Sequence, residues 1–206
     1  MKYVLFVCNH NAGRSQMAQA FFEHMAPDDI RAESAGTKPA RAIWPEVIQV
    51  MREIEIDLSD RKPKTLSREM QLHADWAVTM GCGDACPYVP TTVEEWDIPD
   101  PAGRPLEEVR EIRDLIEDHV QTLINENLEE IRTDPTAHQA RLGHLLPELA
   151  REFEGHRTPE EIRECADAIL HRFDDAAVRS HIITLAMRET RRCLRKEHCD
   201  ALATQS

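Results

Sequence analysis

The sequence predicts an α/β fold with a doubly wound, parallel, four-stranded sheet, followed by an all-α three-helix bundle. Residues 2–7, KYVLFV, are too continuously apolar for a half-exposed strand and suit a parallel strand that is covered on both faces. Strand and helix patterns then alternate as far as residue 131, which is typical of right-handed crossovers between parallel strands. Beyond residue 138, the apolar residues recur only at helical spacing.

The elements of the first part follow in chain order. A helical pattern starts at Ser15 and closes at Pro27-Asp28-Asp29, and a strand, IRAESAG, ends at Gly36. The pattern predicts a second helix within AIWPEVIQVMREI. It then predicts a buried strand at ADWAVTM and a shorter strand at EEWDI. Residues 105–131 predict a long amphipathic helix.

The segment 132–139, RTDPTAHQ, is polar and contains Pro135, so it predicts a boundary between a domain of residues 1–133 and a bundle of residues 138–206. TPEE predicts a capping box, with Thr158 as N-cap and Glu161 reaching back. A three-helix core this small is marginal alone and favours a partner surface, so we expect a homodimer through these helices. We expect the apolar stripes of the three helices to pack inside the bundle, together with His144, His171 and His181. Cys193 is expected in the core of the bundle and Cys199 in a frayed tail.

Charge and composition exclude several classes of function. The 206 residues carry a formal net charge of −13 with a pI near 5.2, which argues against a nucleic-acid or anionic-membrane surface. The basic run at 188–196 fits a solvated helix end better than a nucleic-acid site. No signal peptide or membrane span is evident, so we expect a cytoplasmic protein. Six cysteines are too few for a disulfide scaffold. Cys8, Cys82 and Cys86 lie beside apparent strand ends and are candidates for chemistry or metal binding.

The stretch CNHNAGRS places Cys8 between the first strand and the first helix. The small residues Ala12 and Gly13 allow the backbone to curl with several N–H groups pointing inward, which makes an oxyanion nest. Those groups and the helix dipole would stabilise a Cys8 thiolate; Arg14 offers a planar fork to a tetrahedral oxyanion, and Ser15 can donate to the thiolate. The predicted oxyanion-binding residues are Asn9, His10, Asn11, Ala12, Gly13 and Arg14. The alternative is a buried structural cysteine beside an ordinary helix-start arginine.

Three ordered motifs carry a resemblance to a known family. VLFVCNHNAGRSQMAQAFF resembles the nucleophile loop of the low-molecular-weight phosphotyrosine phosphatase superfamily, and specifically of its arsenate reductases. DPAG, from Asp100 to Gly103, resembles the general-acid segment, and TMGCGDACPYVP at 79–90 resembles the segment with the resolving cysteines of thiol-coupled members. The resemblance covers residues 1–131 and implies a flavodoxin-like, phosphatase-type sheet.

The resemblance also implies a chemistry. Cys8 would attack the arsenic of arsenate, Asp100 would protonate the departing oxygen, and a second thiol would resolve the adduct. Chain order suggests Cys82 as first resolver and Cys86 as the thiol that carries the disulfide outward to thioredoxin. The short gap between them also resembles actinobacterial reductases, some of which use mycothiol with a mycoredoxin. Both routes stay open.

Other interpretations compete with arsenate reduction. In a phosphotyrosine or phosphate-monoester phosphatase we would expect an aromatic residue after the general acid, but Ala102-Gly103 follows Asp100-Pro101 here. Hydrolysis also requires no further thiol, so Cys82 and Cys86 would have no role in it. A non-enzymatic alternative is a metalloid-binding or redox-sensing adaptor. As a further alternative, Cys82 and Cys86 would form half of a zinc site whose nearest other ligands are Asp84 and His73, although we expect no metal and no cofactor. Some relatives bind potassium near the loop. Asn11 and Ser34 match that site, but Gln19 and Lys64 stand where carboxylates are expected, which predicts no potassium requirement.

Overall fold

A computed structural model of the chain describes residues 2–81, 93–133, 136–173 and 182–196. Within them lie four strands, β1 (Lys2–Cys8), β2 (Ile30–Gly36), β3 (Trp76–Met80) and β4 (Val93–Glu95). The strands form one sheet in the order β2-β1-β3-β4, and every neighbouring pair is parallel. The predicted parallel four-stranded sheet is therefore confirmed.

Helices follow the strands as the periodicity predicts, with two differences. The helices are α1 (Arg14–Met25), α2 (Pro45–Arg52), α3 (Arg68–His73), α4 (Leu106–Thr133), α5 (Thr136–Glu152), α6 (Pro159–His171) and α7 (Ile182–Leu194). Helix α3 was not predicted, and β4 starts and ends earlier than EEWDI. Pairing continues past β4, because the N–H of Trp96 donates to the carbonyl of Thr79 at 2.9 Å.

Both faces of the sheet are covered, but unequally. Val4 and Phe6 of β1 point into a large core that α1, α2 and α4 complete. Leu5 and Val7, on the other face, pack in a small cluster with Ala74 and Ala77, bordered by Leu66 and Met70. Because both faces of β1 are buried, the continuous apolar run of the first strand is explained.

Helices α5, α6 and α7 share a separate hydrophobic core. It is built from Leu142, Leu145, Leu149, Phe153, Ile162, Cys165, Ala166, Ile169, Leu170, Ala186, Met187, Cys193 and Leu194. The predicted capping box is present: the Thr158 side chain accepts from the Glu161 N–H, and the Glu161 side chain accepts from the Thr158 N–H. The predicted three-helix bundle is confirmed, while the domain boundary itself stays a prediction.

The bundle docks on the amino-terminal edge of the sheet through Arg141 of α5. Its guanidinium donates to the carbonyls of Leu72 and His73 at 3.2 and 2.5 Å, and to Asp75 Oδ1 at 3.0 Å. Asp75 also accepts from the backbone N–H of Tyr3 at 2.9 Å. Asp75 precedes β3 and Tyr3 lies near the start of β1, so the docking contact lies opposite the sheet edge that carries Cys8.

The basic run at the end of α7 is paired within the chain. Arg191 lies 2.5 Å from Glu148 and 2.6 Å from Glu152 of α5, and Arg195 lies 2.9 Å from Glu152. Hydrogen bonds from Arg191, with a smaller contribution from Arg195, lower the pKa of Glu152. Arg191 and Arg195 thus tie α7 to α5, while Arg188 and Arg192 are exposed, which agrees with the expected solvated helix end. Among the helices described, none combines the length and apolar character needed to cross a membrane.

Candidate active site

Cys8 is the last residue of β1 and lies at the carboxyl edge of the sheet, in register with Gly36 of β2 and Met80 of β3. Its Sγ lies 3.0 Å from Ser15 Oγ and accepts from the backbone N–H of Asn11 at 3.2 Å. The residue is 2% exposed. The sulfur is therefore buried and held by hydrogen-bond partners from the loop and from α1.

Asn11 fixes the shape of the loop after Cys8. Its backbone adopts φ 48°, the left-handed region, and its side chain is fully buried. The amide Nδ2 donates to Ser15 Oγ at 2.8 Å and to Ser34 Oγ at 2.9 Å. The Oδ1 atom accepts from Gln16 Nε2 at 3.1 Å and from the Lys64 N–H at 2.7 Å. These bonds hold a backbone conformation that would otherwise be costly outside glycine.

The carbonyl groups of the loop are bound on its outer side. The carbonyls of Cys8, Asn9, His10 and Ala12 accept hydrogen bonds from backbone N–H groups between residues 37 and 44, at 3.2, 2.8, 2.9 and 3.1 Å respectively. Because the C=O and N–H of a peptide group point in opposite directions, the loop N–H groups are left facing inward. This is the arrangement of an oxyanion nest.

Arg14 begins α1 and its side chain is 6% exposed. The guanidinium donates to the carbonyl of Ile98 at 3.1 Å and to Asp100 Oδ2 at 2.8 Å. Gly81 leaves room for it, since a Cβ at that position would lie 2.6 Å from Arg14 Nη1. The arginine is thus positioned by two segments far from it in sequence.

Asp100 closes the site from the segment that follows β4. Its Oδ1 accepts from the Ala102 N–H at 3.1 Å, and its Oδ2 lies 4.0 Å from His10 Nδ1. The next residue, Pro101, packs against the nucleophile loop because Gly13 has no side chain: a Cβ there would lie 2.7 Å from Pro101 Cγ. The carboxylate is 37% exposed and so faces both the loop and solvent.

The structure brings most of the predicted site residues together. Cys8, Arg14, Ser15 and Asp100 meet around the loop of residues 9–13, whereas Cys82, Cys86 and Asp84 lie outside the described residues. His73, the remaining candidate for a zinc site, is buried at 3% exposure, with its Nε2 3.6 Å from Glu33. The prediction of no potassium requirement is untested. Gln19 accepts from Ser34 at 2.6 Å, and the Lys64 ammonium lies 3.2 Å from Glu33.

Sequence reasoning missed Trp44, which precedes α2 and borders the loop. Its ring lies 5.6 Å from the His10 ring, centroid to centroid, and a Cβ on Gly13 would lie 2.9 Å from it. The only local signal was Trp44-Pro45 at a helix start. Gln16 was also missed, because its position among helix residues gives no hint that it is buried against the loop.

A thiol at a strand end, an inward-facing peptide nest, a buried arginine and an opposing carboxylate define a protein with a cysteine-centred oxyanion site on a parallel α/β sheet. The family model for low molecular weight phosphotyrosine protein phosphatase matches residues 3–134. The chain belongs to this family. The matched region ends before α5, so it leaves the bundle outside.

Individual relatives were found among arsenate reductases. A Halobacterium salinarum relative is 41% identical over 127 residues, 59% of this chain and 89% of that protein. The arsenate reductase of Staphylococcus aureus strain Newman is 35% identical over 120 residues, 56% of this chain and 90% of that protein. The structure of the thioredoxin-dependent arsenate reductase of Corynebacterium glutamicum is similar with a TM-score of 0.53 and 34% identity, covering 64% of this chain and 62% of that one.

Proposed function

We propose that this chain is an arsenate reductase that converts arsenate to arsenite by a thiol-dependent mechanism. The observation that carries the proposal is the meeting of Cys8, Arg14 and Asp100 at one oxyanion nest. The likeness to the S. aureus and C. glutamicum reductases supports arsenate as the oxyanion. These residue roles are part of the proposal.

In the first step the Cys8 thiolate attacks arsenic, an S–As bond forms, and one As–O bond breaks. Asp100 gives the departing oxygen its proton, so that water leaves. The inward N–H groups and Arg14 hold the remaining oxygens. Arg14 is bound to Asp100 at 2.8 Å, so an oxyanion that takes over part of the guanidinium also releases the carboxyl group for this role.

In the second step a thiolate attacks the Cys8 sulfur, a disulfide forms, and the electron pair of the S–As bond reduces As(V) to As(III). Cys82 is the proposed attacking thiol, with Cys86 passing the disulfide on to thioredoxin. Support comes from Gly81, which directly precedes Cys82 and lies against Arg14. The other candidate reductant is mycothiol, whose thiolate would attack the adduct directly, with a mycoredoxin closing the cycle.

The test is arsenite formation under multiple turnover, with thioredoxin and its reductase in one assay and mycothiol with mycoredoxin in another. Cys8→Ser should be inactive with both reductants, whereas Cys165→Ala, which removes a buried thiol of the bundle, should keep full activity. Activity of Cys8→Ser would overturn the mechanism, and an absence of turnover in the wild type would favour the metalloid-binding or redox-sensing adaptor.

Loss of thioredoxin-coupled activity in Cys82→Ser or Cys86→Ser supports the internal relay. Full activity of both variants with mycothiol alone contradicts it.

Phosphate-monoester hydrolysis is the second candidate, and Trp44 is the observation that favours it. Although no aromatic residue follows Asp100, the half-buried Trp44 ring borders His10 and Gly13 and offers an apolar wall to an aryl group. Rapid turnover of p-nitrophenyl phosphate, with none of arsenate, would establish this function in place of reduction. Trp44→Ala should then raise KM for the aryl ester more than for inorganic oxyanions.

We also propose that residues 1–133 and 138–206 are separate domains and that the second forms a homodimer in the cytoplasm. The small size of its core supports a partner surface. Part of such a surface would be supplied by residues 1–133 of the same chain, because Arg141 donates to Asp75 at 3.0 Å. Light scattering after size-exclusion chromatography tests the dimer, and a monomeric mass at micromolar concentration would contradict it.

A further inference from the structure

Three ligating side chains of the bundle converge on one point between α5 and α6. His138 lies in α5, while Asp167 and His171 lie one helical turn apart in α6. One ring nitrogen of each histidine and a carboxylate oxygen of Asp167 all lie within 4.8 Å of one another. His171 was expected to pack inside the bundle, but its side chain is 60% exposed and lies beside Asp167.

The distances are close to those of a metal-bound state. His138 Nε2 lies 2.8 Å from Asp167 Oδ1, and His171 Nδ1 lies 3.7 Å from Asp167 Oδ2. His171 Nδ1 also lies 2.9 Å from the backbone carbonyl oxygen of Asp167, a contact that an ion would have to replace. Tetrahedral zinc with bonds of about 2.0–2.1 Å separates its ligand atoms by about 3.3 Å. Small rotations of the exposed His171 ring and of the half-buried His138 and Asp167 side chains would therefore admit an ion, with no change in the helices.

A simple ion pair does not account for the whole cluster. One imidazole suffices to pair with one carboxylate, yet the two histidine rings lie 4.3 Å apart around the same Asp167. Two imidazolium rings at this separation would repel each other. Two neutral rings can each turn a lone pair toward a cation, in place of the N–H that faces Asp167 in the ion-free arrangement. Two histidines and one carboxylate form a common ligand set for zinc that leaves a fourth position open to water.

We propose that His138, Asp167 and His171 bind one divalent transition-metal ion, Zn²⁺ by preference, that links α5 to α6. The ion would cross-link the two helices and so stabilise a bundle whose own core is small. It takes no part in the chemistry at Cys8. This site departs from the expectation of a metal-free protein. It is independent of the proposed function.

The experiment is a calorimetric titration of the full, untagged chain with Zn²⁺, after removal of metals by chelator and alkylation of accessible thiols in the native state. We expect one ion per chain, and a higher melting temperature with Zn²⁺ present. His171→Ala and Asp167→Asn should each weaken binding at least tenfold and remove the thermal shift. His156→Ala, which removes an exposed histidine of the same bundle outside the cluster, should behave as the wild type.

Far-ultraviolet circular dichroism verifies that every variant is folded, and the high exposure of His171 makes its variant the safest. The proposal is overturned if the wild type shows no saturable binding below about 100 μM Zn²⁺, or if His171→Ala binds as tightly as His156→Ala. Arsenate reduction by His171→Ala should equal that of the wild type. Failure of the metal site is therefore distinguishable from failure of the proposed function.

Discussion

At the nucleophile loop, Asn11 combines a left-handed backbone with four side-chain hydrogen bonds. We expect Asn11→Ala to lower the free energy of unfolding by about 3 kcal/mol. Alanine lacks the short polar side chain that lets asparagine adopt the left-handed region, where an ordinary residue costs about 1–2 kcal/mol, and the buried partners left without their bonds cost about 1–3 kcal/mol more. Asn11→Gly removes the same bonds but tolerates the backbone, so it should be about 1 kcal/mol less destabilising. Urea unfolding measures both variants, and equal losses would show that the backbone conformation carries no cost.

Cys165 lies in the core of the bundle, and its burial makes the free energy of unfolding depend on pH. Burial raises the pKa of its thiol from 9.0 to about 11, so the folded state favours the neutral form. The unfolded chain ionises first, and the stabilisation is present in full below pH 9 and is lost as the pH rises toward 11. We expect the free energy of unfolding to fall more steeply between pH 8 and 11 in the wild type than in Cys165→Ala. Parallel curves would contradict this.

At the scale of elements, the start of α6 depends on its capping box. Thr158→Ala leaves the Glu161 N–H without its partner and should lower the free energy of unfolding by about 1 kcal/mol. Thr158→Ser is the matched control and should cost much less. Hydrogen bonds from Thr158 lower the pKa of Glu161 below 4.5, so the contribution of its carboxylate is present above that pH and is lost as the pH falls. Thermal unfolding at pH 7 and pH 3 measures both effects, and identical melting temperatures for Thr158→Ala and the wild type would contradict the prediction.

The elements that the sequence predicted correctly are those with a strong local pattern. β1 is apolar on both faces, α4 has a sustained helical stripe, and α6 has its capping box and Pro159. Helix α3 was missed because Arg68–His73 is a short, mostly polar turn stabilised by the Ser67 side chain, which accepts from the Met70 N–H. Such a turn has too few residues to show periodicity.

The residues of the candidate active site likewise fall into those that the sequence predicts and those that only the structure reveals. The nucleophile loop could be predicted because Cys8, Arg14 and Ser15 are neighbours in one short stretch of sequence. The carbonyl of Ile98, the room left by Gly81 and the wall of Trp44 come from other parts of the chain, and only the folded sheet brings them to the loop. Local patterns carry no information on such long-range contacts, so these residues were visible only in the structure.

At the scale of the whole molecule, the bundle is joined to the sheet through a buried ion pair. Arg141 and Asp75 have side chains 2% and 1% exposed. The Lys2 ammonium lies 3.5 Å from Asp75, and the Tyr3 N–H also donates to it. The bundle is thus held at the amino ends of β1 and β3, opposite the carboxyl edge of the sheet that carries Cys8.

We expect Arg141→Leu to lower the free energy of unfolding by about 3 kcal/mol, because it leaves the buried Asp75 charge with only the Lys2 ammonium, 3.5 Å away, as a cationic side-chain neighbour. Adding Asp75→Asn should restore part of the loss, since the carboxylate charge is then no longer buried and an amide oxygen can still accept from Tyr3. Arg151→Leu, at an exposed arginine of the same helix, is the matched control and should cost less than about 0.5 kcal/mol. Urea unfolding measures the stabilities, and hydrogen exchange at the Tyr3 amide reports the docking edge directly. If Arg141→Leu matched Arg151→Leu in both measurements, the bundle would be held by its apolar contacts and not by this ion pair.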